Sequence, residues 1–186
     1  FSGTSFSVVM KDAPMIEIEE GLRKALGRIS EPRERIRYTV DFIERITGLT
    51  GVGKYLTLLL ELDSFFLNED RHTNNLAVIR NEKTMEFRLC PIFDHGLALL
   101  SDLNDYPADK DVYACISRVR AKPFDTDFDV QVEAAETLYG SQLKFSFSRT
   151  DVSKTLDSVR ALYSNPVISR VEQTLYEQMR RYPVYF

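Results

Sequence analysis

Apolar residues recur at helical spacing in the first third of the chain. Ile36, Val40 and Ile43 are four and three positions apart, and this spacing places their side chains on one face of a helix. Ser30 is a typical N-cap residue, and Gly48 is typical of the position just past a helix end. The pattern therefore predicts an amphipathic helix that Ser30 caps and Gly48 ends.

Beyond this helix, further helical patterns flank one stretch of alternating polarity. A strongly apolar helix is predicted near residues 55–67, followed by a β-hairpin with strands at 76–80 and 85–90 and a turn at 81–84. The segment 97–107 has no regular period and is predicted to be a loop. Later helices are predicted at 110–119, 126–139, 151–163 and 167–181. These elements predict an α+β fold that is predominantly helical.

Length and composition indicate a single domain. The chain has 186 residues, of which 44% are hydrophobic, so it can bury a substantial core and we expect one domain over residues 1–186. The Ser- and Gly-containing beginning of the chain predicts an extended segment over residues 1–15. No secretory signal pattern is visible, and no apolar run reaches the roughly 18 residues that a membrane span needs. We therefore expect neither secretion nor a membrane partner.

The cysteine content indicates the expected compartment, and the charge pattern indicates which partners are not expected. Cys90 and Cys115 are widely spaced and have apolar neighbours, which favours reduced thiols and a cytoplasmic protein. The 24 basic residues are interleaved with 28 acidic ones, and the net charge is −4. Because this pattern predicts no basic face for a phosphate backbone, we expect no direct binding to nucleic acid.

Side chains that carry oxygen atoms border the predicted hairpin on both sides. Asp70 and Asn75 precede it, and Asp94 follows it. Strands of five or six residues span about 17–20 Å, so the hairpin is expected to return Asp94 to the side of Asn75. Mg²⁺ takes such oxygens together with phosphate oxygens and water, and a carboxylate can accept a substrate hydroxyl proton. The pattern predicts phosphoryl-transfer chemistry, with a polar loop that Asp70 merely caps as the alternative.

The same residues resemble a known family. The sequence D-R-H-T-N-N at 70–75, with Asp63 and Asn68 upstream, and P-I-F-D-H-G at 91–96 are similar to the HipA-like and phosphatidylinositol-kinase-like branch of the protein kinase superfamily. In that branch the catalytic loop has the pattern D-R-H-x-x-N and the metal-binding turn has the pattern D-x-G. The run R-A-K-P-F at 120–124 also resembles bacterial HipA-like sequences. The resemblance implies a protein-kinase-like C-terminal lobe whose short β-hairpin carries the active-site loops.

The resemblance also implies roles for individual residues. Asp70 corresponds to the catalytic base, and His72 corresponds to a group that orders the loop or contacts the transition state. Asn75 and Asp94 correspond to the ligands of Mg²⁺, and through the metal they bind ATP. The implied activity is that of a HipA-like Ser/Thr protein kinase lobe, which transfers the γ-phosphoryl group of ATP to a hydroxyl of a protein substrate.

Two features depart from the family pattern. Only 69 residues precede Asp70 and most of them have a helical pattern, so the nucleotide-binding lobe is expected to be absent or truncated. Three alternatives stay open: the lobe is missing, it is lost, or a nucleotide-lobe or regulatory partner supplies it in trans. Lys11 is a poor match for the lysine of that lobe. His95 stands where an apolar residue is usual. The alternative function is a catalytically inactive kinase-like lobe that acts as a protein-binding or regulatory module.

Two other interpretations, a nucleotide-binding P-loop and a lipid kinase, have weaker support from the sequence. The sequence G-L-T-G-V-G-K at 48–54 matches most of a P-loop, but a predicted helix precedes it and Tyr55 replaces the metal-binding Ser or Thr. A turn between two helices, with Lys54 exposed, is the favoured interpretation. A lipid kinase shares the D-R-H-x-x-N loop, but the net negative charge and the expected lack of a basic cluster beside the site argue against an anionic headgroup.

Overall fold

The structure is a computed structural model that describes residues 22–81 and 83–186. In chain order, its elements after a helical turn at residues 22–26 are α1 (Pro32–Thr47), α2 (Val52–Phe66), β1 (Val78–Arg80), β2 (Phe87–Leu89), α3 (Val112–Ile116), α4 (Phe128–Tyr139), α5 (Arg149–Val159) and α6 (Asn165–Arg181). Short 3₁₀ turns lie at Thr73–Asn75 and Pro183–Tyr185. The predicted α+β class with predominant helix is confirmed. The extended segment predicted at 1–15, Lys11 and the turn residue Glu82 lie outside the described residues.

The predicted hairpin is present, with shorter strands than expected. β1 and β2 are antiparallel, and Val78, Ile79 and Arg80 pair with Leu89, Arg88 and Phe87. The turn is closed by the Asn81 backbone, whose N–H donates to Glu86 at 2.9 Å and whose carbonyl accepts from Met85 at 2.7 Å. In the described part of the chain this is the one sheet, so the hairpin is an isolated arm in a helical body.

The start of α1 differs from the prediction. The N-cap is Glu31 rather than Ser30, because Pro32 occupies the first helical position and a residue before proline is held in extended geometry. Glu31 accordingly has φ −78° and ψ 123°. The predicted end is confirmed: Gly48 has φ 71°, and its N–H donates to the Glu44 carbonyl at 2.8 Å.

Two later helices also have different ends. α3 covers only Val112–Ile116 because the Asp111 carboxylate caps it through the Ala114 N–H at 3.0 Å, and the chain leaves the helix soon afterwards to bury Val119. α5 begins at Arg149 rather than near residue 151, because Ser148 and Asp151 form a reciprocal capping box. Side-chain capping therefore sets boundaries that the apolar period alone did not locate.

α2 is the central element of the described fold. Its buried residues enter the cluster between α1 and α4 and, through Phe65, the cluster that α5 and α6 complete. The residue after the helix, Leu67, belongs to a further cluster with Leu100 and Phe128. Because one helix is packed on several sides, its C-terminal end is a fixed platform for the loop that follows.

The C-terminal end of α2 has an unusual but well-satisfied geometry. Leu67 adopts φ 54°, a left-handed conformation that glycine usually supplies at this position. The buried Gln178 amide on α6 donates to the Ser64 and Phe65 carbonyls at 2.9 and 3.0 Å, so two carbonyls of the last turn that lack an i+4 donor are satisfied. Phe65 also packs against Phe145, with ring centroids 4.6 Å apart. These contacts fix the direction in which the chain leaves the helix.

The glycine-rich segment 48–54 is a turn between α1 and α2. It follows a helix rather than a strand, and Gly51 is the N-cap of α2 with φ 78°. A Cβ atom on Gly53 would lie 2.4 Å from the Tyr139 ring, so this glycine permits close packing of α2 on α4. Lys54 is exposed in the first turn. The P-loop interpretation is thereby excluded, because a P-loop connects a strand to a helix.

Candidate functional site

A buried ion pair lies beneath the loop that follows α2. Asp63, on the last turn of α2, and Arg71, in the loop, both have fully buried side chains. Their contact is bidentate: Arg71 Nε donates to Asp63 Oδ2 at 2.7 Å, and Nη2 donates to Oδ1 at 3.0 Å. The pair joins the helix platform to the loop that carries Asp70, His72 and Asn75.

Arg71 also joins this loop to the segment after the hairpin. Its Nη1 donates to the Asn75 carbonyl and to the Phe93 carbonyl, each at 3.0 Å. Nη2 additionally lies 3.3 Å from Nε2 of His95. Each nitrogen of the guanidinium therefore has a partner, and two of those partners belong to chain segments on opposite sides of the hairpin. The hairpin returns residue 94 to the side of Asn75, as predicted, and this guanidinium connects the two segments there.

Asn68 forms a second connection between the two segments. Its Nδ2 donates to Asp63 Oδ1 at 2.8 Å and lies 3.4 Å from the Asp94 carbonyl, while its Oδ1 accepts from the Asp70 N–H at 3.3 Å. Asp94 has φ 63°, a left-handed geometry that Asp tolerates better than most residues. One buried amide therefore contacts the backbone on both sides of the hairpin.

Asp70 projects from the loop as a half-buried carboxylate. Lys122 Nζ lies 3.4 Å from its Oδ1, and His72 Nε2 lies 4.0 Å from its Oδ2. The Asp70 carbonyl accepts from the Asn75 side-chain Nδ2 at 3.0 Å and from the His72 N–H at 2.8 Å. The structure therefore places three of the predicted residues, Asp70, His72 and Asn75, in one hydrogen-bonded loop.

The predicted metal ligands retain free oxygen atoms. Asn75 uses its amide nitrogen in the loop, and its Oδ1 makes no hydrogen bond within the described part of the chain. The Asp94 carboxylate is exposed and likewise has no hydrogen-bonding or ionic partner among residues 22–81 and 83–186. No direct bond joins the Asp94 side chain to those of Asp70 or Asn75. Backbone contacts hold the three residues together, and the side-chain oxygens of Asn75 and Asp94 have no other partner in the described residues.

Asn75 Oδ1 and the Asp94 carboxylate are oxygen donors of the type that Mg²⁺ takes. One neutral amide oxygen and one carboxylate leave most of the octahedral positions of Mg²⁺ for phosphate oxygens and water. No cluster of three or more His, Cys, Asp or Glu side chains in metal-binding geometry occurs in the described residues. An all-protein cage for a metal is thus absent from that part of the chain, whereas a site completed by a nucleotide phosphate needs fewer protein ligands.

The sequence patterns predicted no role for three residues that support the loop: Asp63, Asn68 and His95. Asp63 and Asn68 belong to the quoted motif, yet their function as the buried support of the loop follows only from their contacts. His95, expected to be a deviation, lies with Nε2 3.2 Å from Asp63 Oδ1 and packs edge-on against Phe66. The feature of the sequence that could have indicated these supporting roles is the charged residue Asp63 within a strongly apolar helical stretch.

A basic cluster also lies beside the site, contrary to expectation. Arg118, Arg120 and Lys122 line a surface cavity together with Asp70. The interleaving of charges along the whole sequence concealed this cluster, because the three cations alternate with buried Val119 and Ala121. Burial of the two apolar residues leaves the three cations on the solvent side of the segment.

Tyr106 supports the loop from its other side. Its hydroxyl donates to the Glu69 carboxylate in a short hydrogen bond. Burial raises the pKa of Tyr106 well above its ordinary value, and the hydrogen bond to Glu69 raises this pKa further. Tyr106 is therefore a protonated donor at neutral pH, and its bond to Glu69 fixes the residue that precedes Asp70.

No helix in the described residues combines the length and apolar character needed to cross a bilayer.

Comparison with other proteins adds no family assignment. No family model, curated protein or solved structure matches the chain.

Proposed function

We propose that this chain is a HipA-like Ser/Thr protein kinase lobe that uses Mg²⁺ and ATP to phosphorylate a hydroxyl group of a protein. The observation that carries the proposal is the position of the Arg71 guanidinium, which contacts the carbonyls of Asn75 and Phe93 at 3.0 Å each. The loop with the D-R-H-x-x-N pattern and the turn with the D-x-G pattern are therefore neighbours, as phosphoryl transfer requires.

The proposed roles follow from which atoms are available. Asp70 is half-buried and reachable, so its carboxylate accepts or orients the proton of the substrate hydroxyl. Asn75 Oδ1 and the Asp94 carboxylate would hold Mg²⁺, which supplies charge neutralisation for the phosphate oxygens when it is bound. His72, with Nε2 4.0 Å from Asp70 Oδ2, positions the base rather than reacting itself.

The buried residues contribute by preorganisation. Asp63 and Arg71 are fully buried, and together with Asn68 they fix the backbone on both sides of the hairpin. In phosphoryl transfer, catalysis depends mainly on positioning and electrostatic stabilisation, because the protein itself forms few new bonds. A buried and fully hydrogen-bonded support of this kind suits that task.

Calorimetric titration of the chain with ATP, in the presence and absence of Mg²⁺, tests the proposal. We expect nucleotide binding that depends on Mg²⁺ and that weakens about tenfold or more in an Asp94→Asn variant, because one anionic metal ligand is lost. Asp157→Asn is the matched control, since it removes one carboxylate from an exposed ion pair on α5.

The same titration distinguishes the two candidate functions. It is carried out with the chain alone and with a nucleotide-lobe partner added in trans. Absence of Mg²⁺-dependent nucleotide binding in both conditions would contradict the kinase proposal and would favour a non-catalytic, protein-binding module. Binding that Asp94→Asn and Asp157→Asn affect equally would contradict the assignment of Asp94 as a metal ligand.

A further inference from the structure

The segment that follows α3 presents three positive charges on one face. Arg118, Arg120 and Lys122 are exposed, whereas the intervening Val119 and Ala121 are buried. Burial of the two apolar residues leaves the three cations on the solvent side of the segment, where all three line one surface cavity. This arrangement produces a local basic surface on a protein whose net charge is −4.

These cations border a surface cavity beside the proposed base. The cavity has a volume of about 270 Å³, and its remaining lining consists of Glu69, Asp70 and Leu97. Lys122 connects the cations of the lining to its carboxylates, since its Nζ lies 3.4 Å from Asp70 Oδ1. A group bound to the cations would therefore lie next to the carboxylate that receives the substrate hydroxyl.

The two arginines are held in place without an acidic partner. Arg120 Nη1 donates to the backbone carbonyls of Ser117 and Val119 at 2.9 Å each. The Arg118 guanidinium lies 5.9 Å from the centre of the Tyr106 ring. Neither makes an ion pair with a carboxylate among residues 22–81 and 83–186. Their positions are thus fixed by the protein while their charge is not neutralised by it.

We propose that this cavity binds an acidic side chain of the acceptor polypeptide, within two residues of the hydroxyl that faces Asp70. The inference rests on the proposed kinase function and specifies its substrate class. The lining has one more positive than negative side chain, a balance that suits a single carboxylate better than a doubly charged phosphate. Leu97, with 49% of its surface exposed, offers an apolar wall for the stem of an Asp or Glu side chain.

The geometry favours a peptide over a membrane surface. Side chains two positions apart on an extended peptide lie on the same side, about 7 Å from each other, so one can reach Asp70 while the other reaches the cations. An anionic bilayer is a broad surface, and here it would meet the carboxylates of Glu69 and Asp70 as well as the cations. A single acidic side chain entering the cavity avoids most of this repulsion.

Fluorescence anisotropy with labelled synthetic peptides tests the inference. The probes are peptides with one Ser and with Asp, Asn or Lys at the second position on each side of it, titrated with the chain at low and physiological ionic strength. We expect the Asp peptide to bind about five- to tenfold more tightly than the Asn peptide at low salt, the Lys peptide to bind most weakly, and the preference to shrink as salt is added.

An Arg118→Gln/Arg120→Gln double variant should reduce the Asp-over-Asn preference to less than about twofold, because it removes the two unneutralised charges. Arg160→Gln/Arg180→Gln removes the same charge at two exposed arginines, one just after α5 and one on α6, and it should keep the preference. Equal binding of Asp and Asn peptides to the unsubstituted chain would overturn the inference. A preference that survives in the Arg118/Arg120 variant would also overturn it.

A vesicle-binding assay and the absence of nucleotide from the peptide titrations separate this inference from a lipid site and from the proposed kinase function. Vesicles with and without about 30% anionic lipid are tested for binding, and Arg118- and Arg120-dependent binding to the anionic vesicles would replace the peptide by a lipid headgroup. The anisotropy titrations contain no nucleotide, so they report the acidic preference independently of phosphate transfer. Mg²⁺-dependent nucleotide binding without the peptide preference would leave the kinase proposal intact and reject the substrate class.

Discussion

Replacing Asp70 with Asn is expected to lower phosphate transfer by about 10²- to 10⁴-fold, the range that a positioned general base contributes. Asn has nearly the same shape but cannot accept the hydroxyl proton. Phosphate incorporation into an acceptor protein from radiolabelled ATP measures the effect. Mg²⁺-dependent nucleotide binding should change little, because the proposed metal ligands are Asn75 and Asp94.

The fold should tolerate this substitution. The Asp70 contact with Lys122 is partly exposed, with 36% and 51% of the two side chains accessible, and such pairs contribute about 0–1 kcal/mol. Thermal unfolding of the Asp70→Asn variant should therefore match that of the unsubstituted chain. Asp157→Asn, on α5, is the matched control and should leave both transfer and unfolding unchanged. Normal ATP turnover in the Asp70→Asn variant would show that the base has been assigned incorrectly.

Replacing Arg71 with Ala is expected to reduce the free energy of unfolding by about 3–5 kcal/mol. The Asp63 carboxylate, which is fully buried, would lose its bidentate partner and remain as an unpaired charge. The carbonyls of Asn75 and Phe93 would lose their shared donor as well. Chemical denaturation followed by circular dichroism measures the loss.

A double substitution separates stability from positioning. Asp63→Leu combined with Arg71→Met replaces the buried pair by apolar groups, and such replacements are often neutral for stability. The double variant should therefore be more stable than Arg71→Ala, yet it should still bind Mg²⁺ and nucleotide poorly, because the Arg71 connection between the two loops is lost and Asn68 loses its Asp63 acceptor.

Arg160→Ala provides the contrast for this second prediction. It breaks an exposed ion pair with Asp157 and should cost no more than about 1 kcal/mol. An Arg71→Ala variant as stable as Arg160→Ala would contradict the structural role given to the buried pair. Undiminished Mg²⁺-nucleotide binding in the double variant would contradict the role of Arg71 in holding the two loops together.

Much of the fold could be predicted from the spacing of apolar residues and from the turn residues. Ile36, Val40 and Ile43 located α1, and the alternating runs on either side of Asn81 located the hairpin. These signals were sufficient because each reflects the burial of one face of a regular element. The boundaries were less predictable: Glu31 rather than Ser30 caps α1, since the following proline determines where the helix begins.

The candidate site was predicted only in part. Asp70, Asn75 and Asp94 were identified from oxygen chemistry and from the resemblance, and the hairpin explains how their backbones meet. The network beneath them was not predicted, because the pairing of Asp63 with Arg71 depends on where α2 ends. The basic cluster was missed for a related reason: burial of two apolar residues, rather than the sequence order of charges, directs the three cations toward the cavity.

The proposed function requires Asn75 and Asp94 to hold one divalent cation next to Asp70. Mn²⁺ takes oxygen ligands in the same octahedral geometry as Mg²⁺ and broadens nearby nuclear magnetic resonance signals. On addition of Mn²⁺ with ATP, the backbone amide signals of all three residues should broaden together, and Asp94→Ala should abolish the effect. Broadening that spares any one of the three, or that persists unchanged in Asp94→Ala, would contradict the claim.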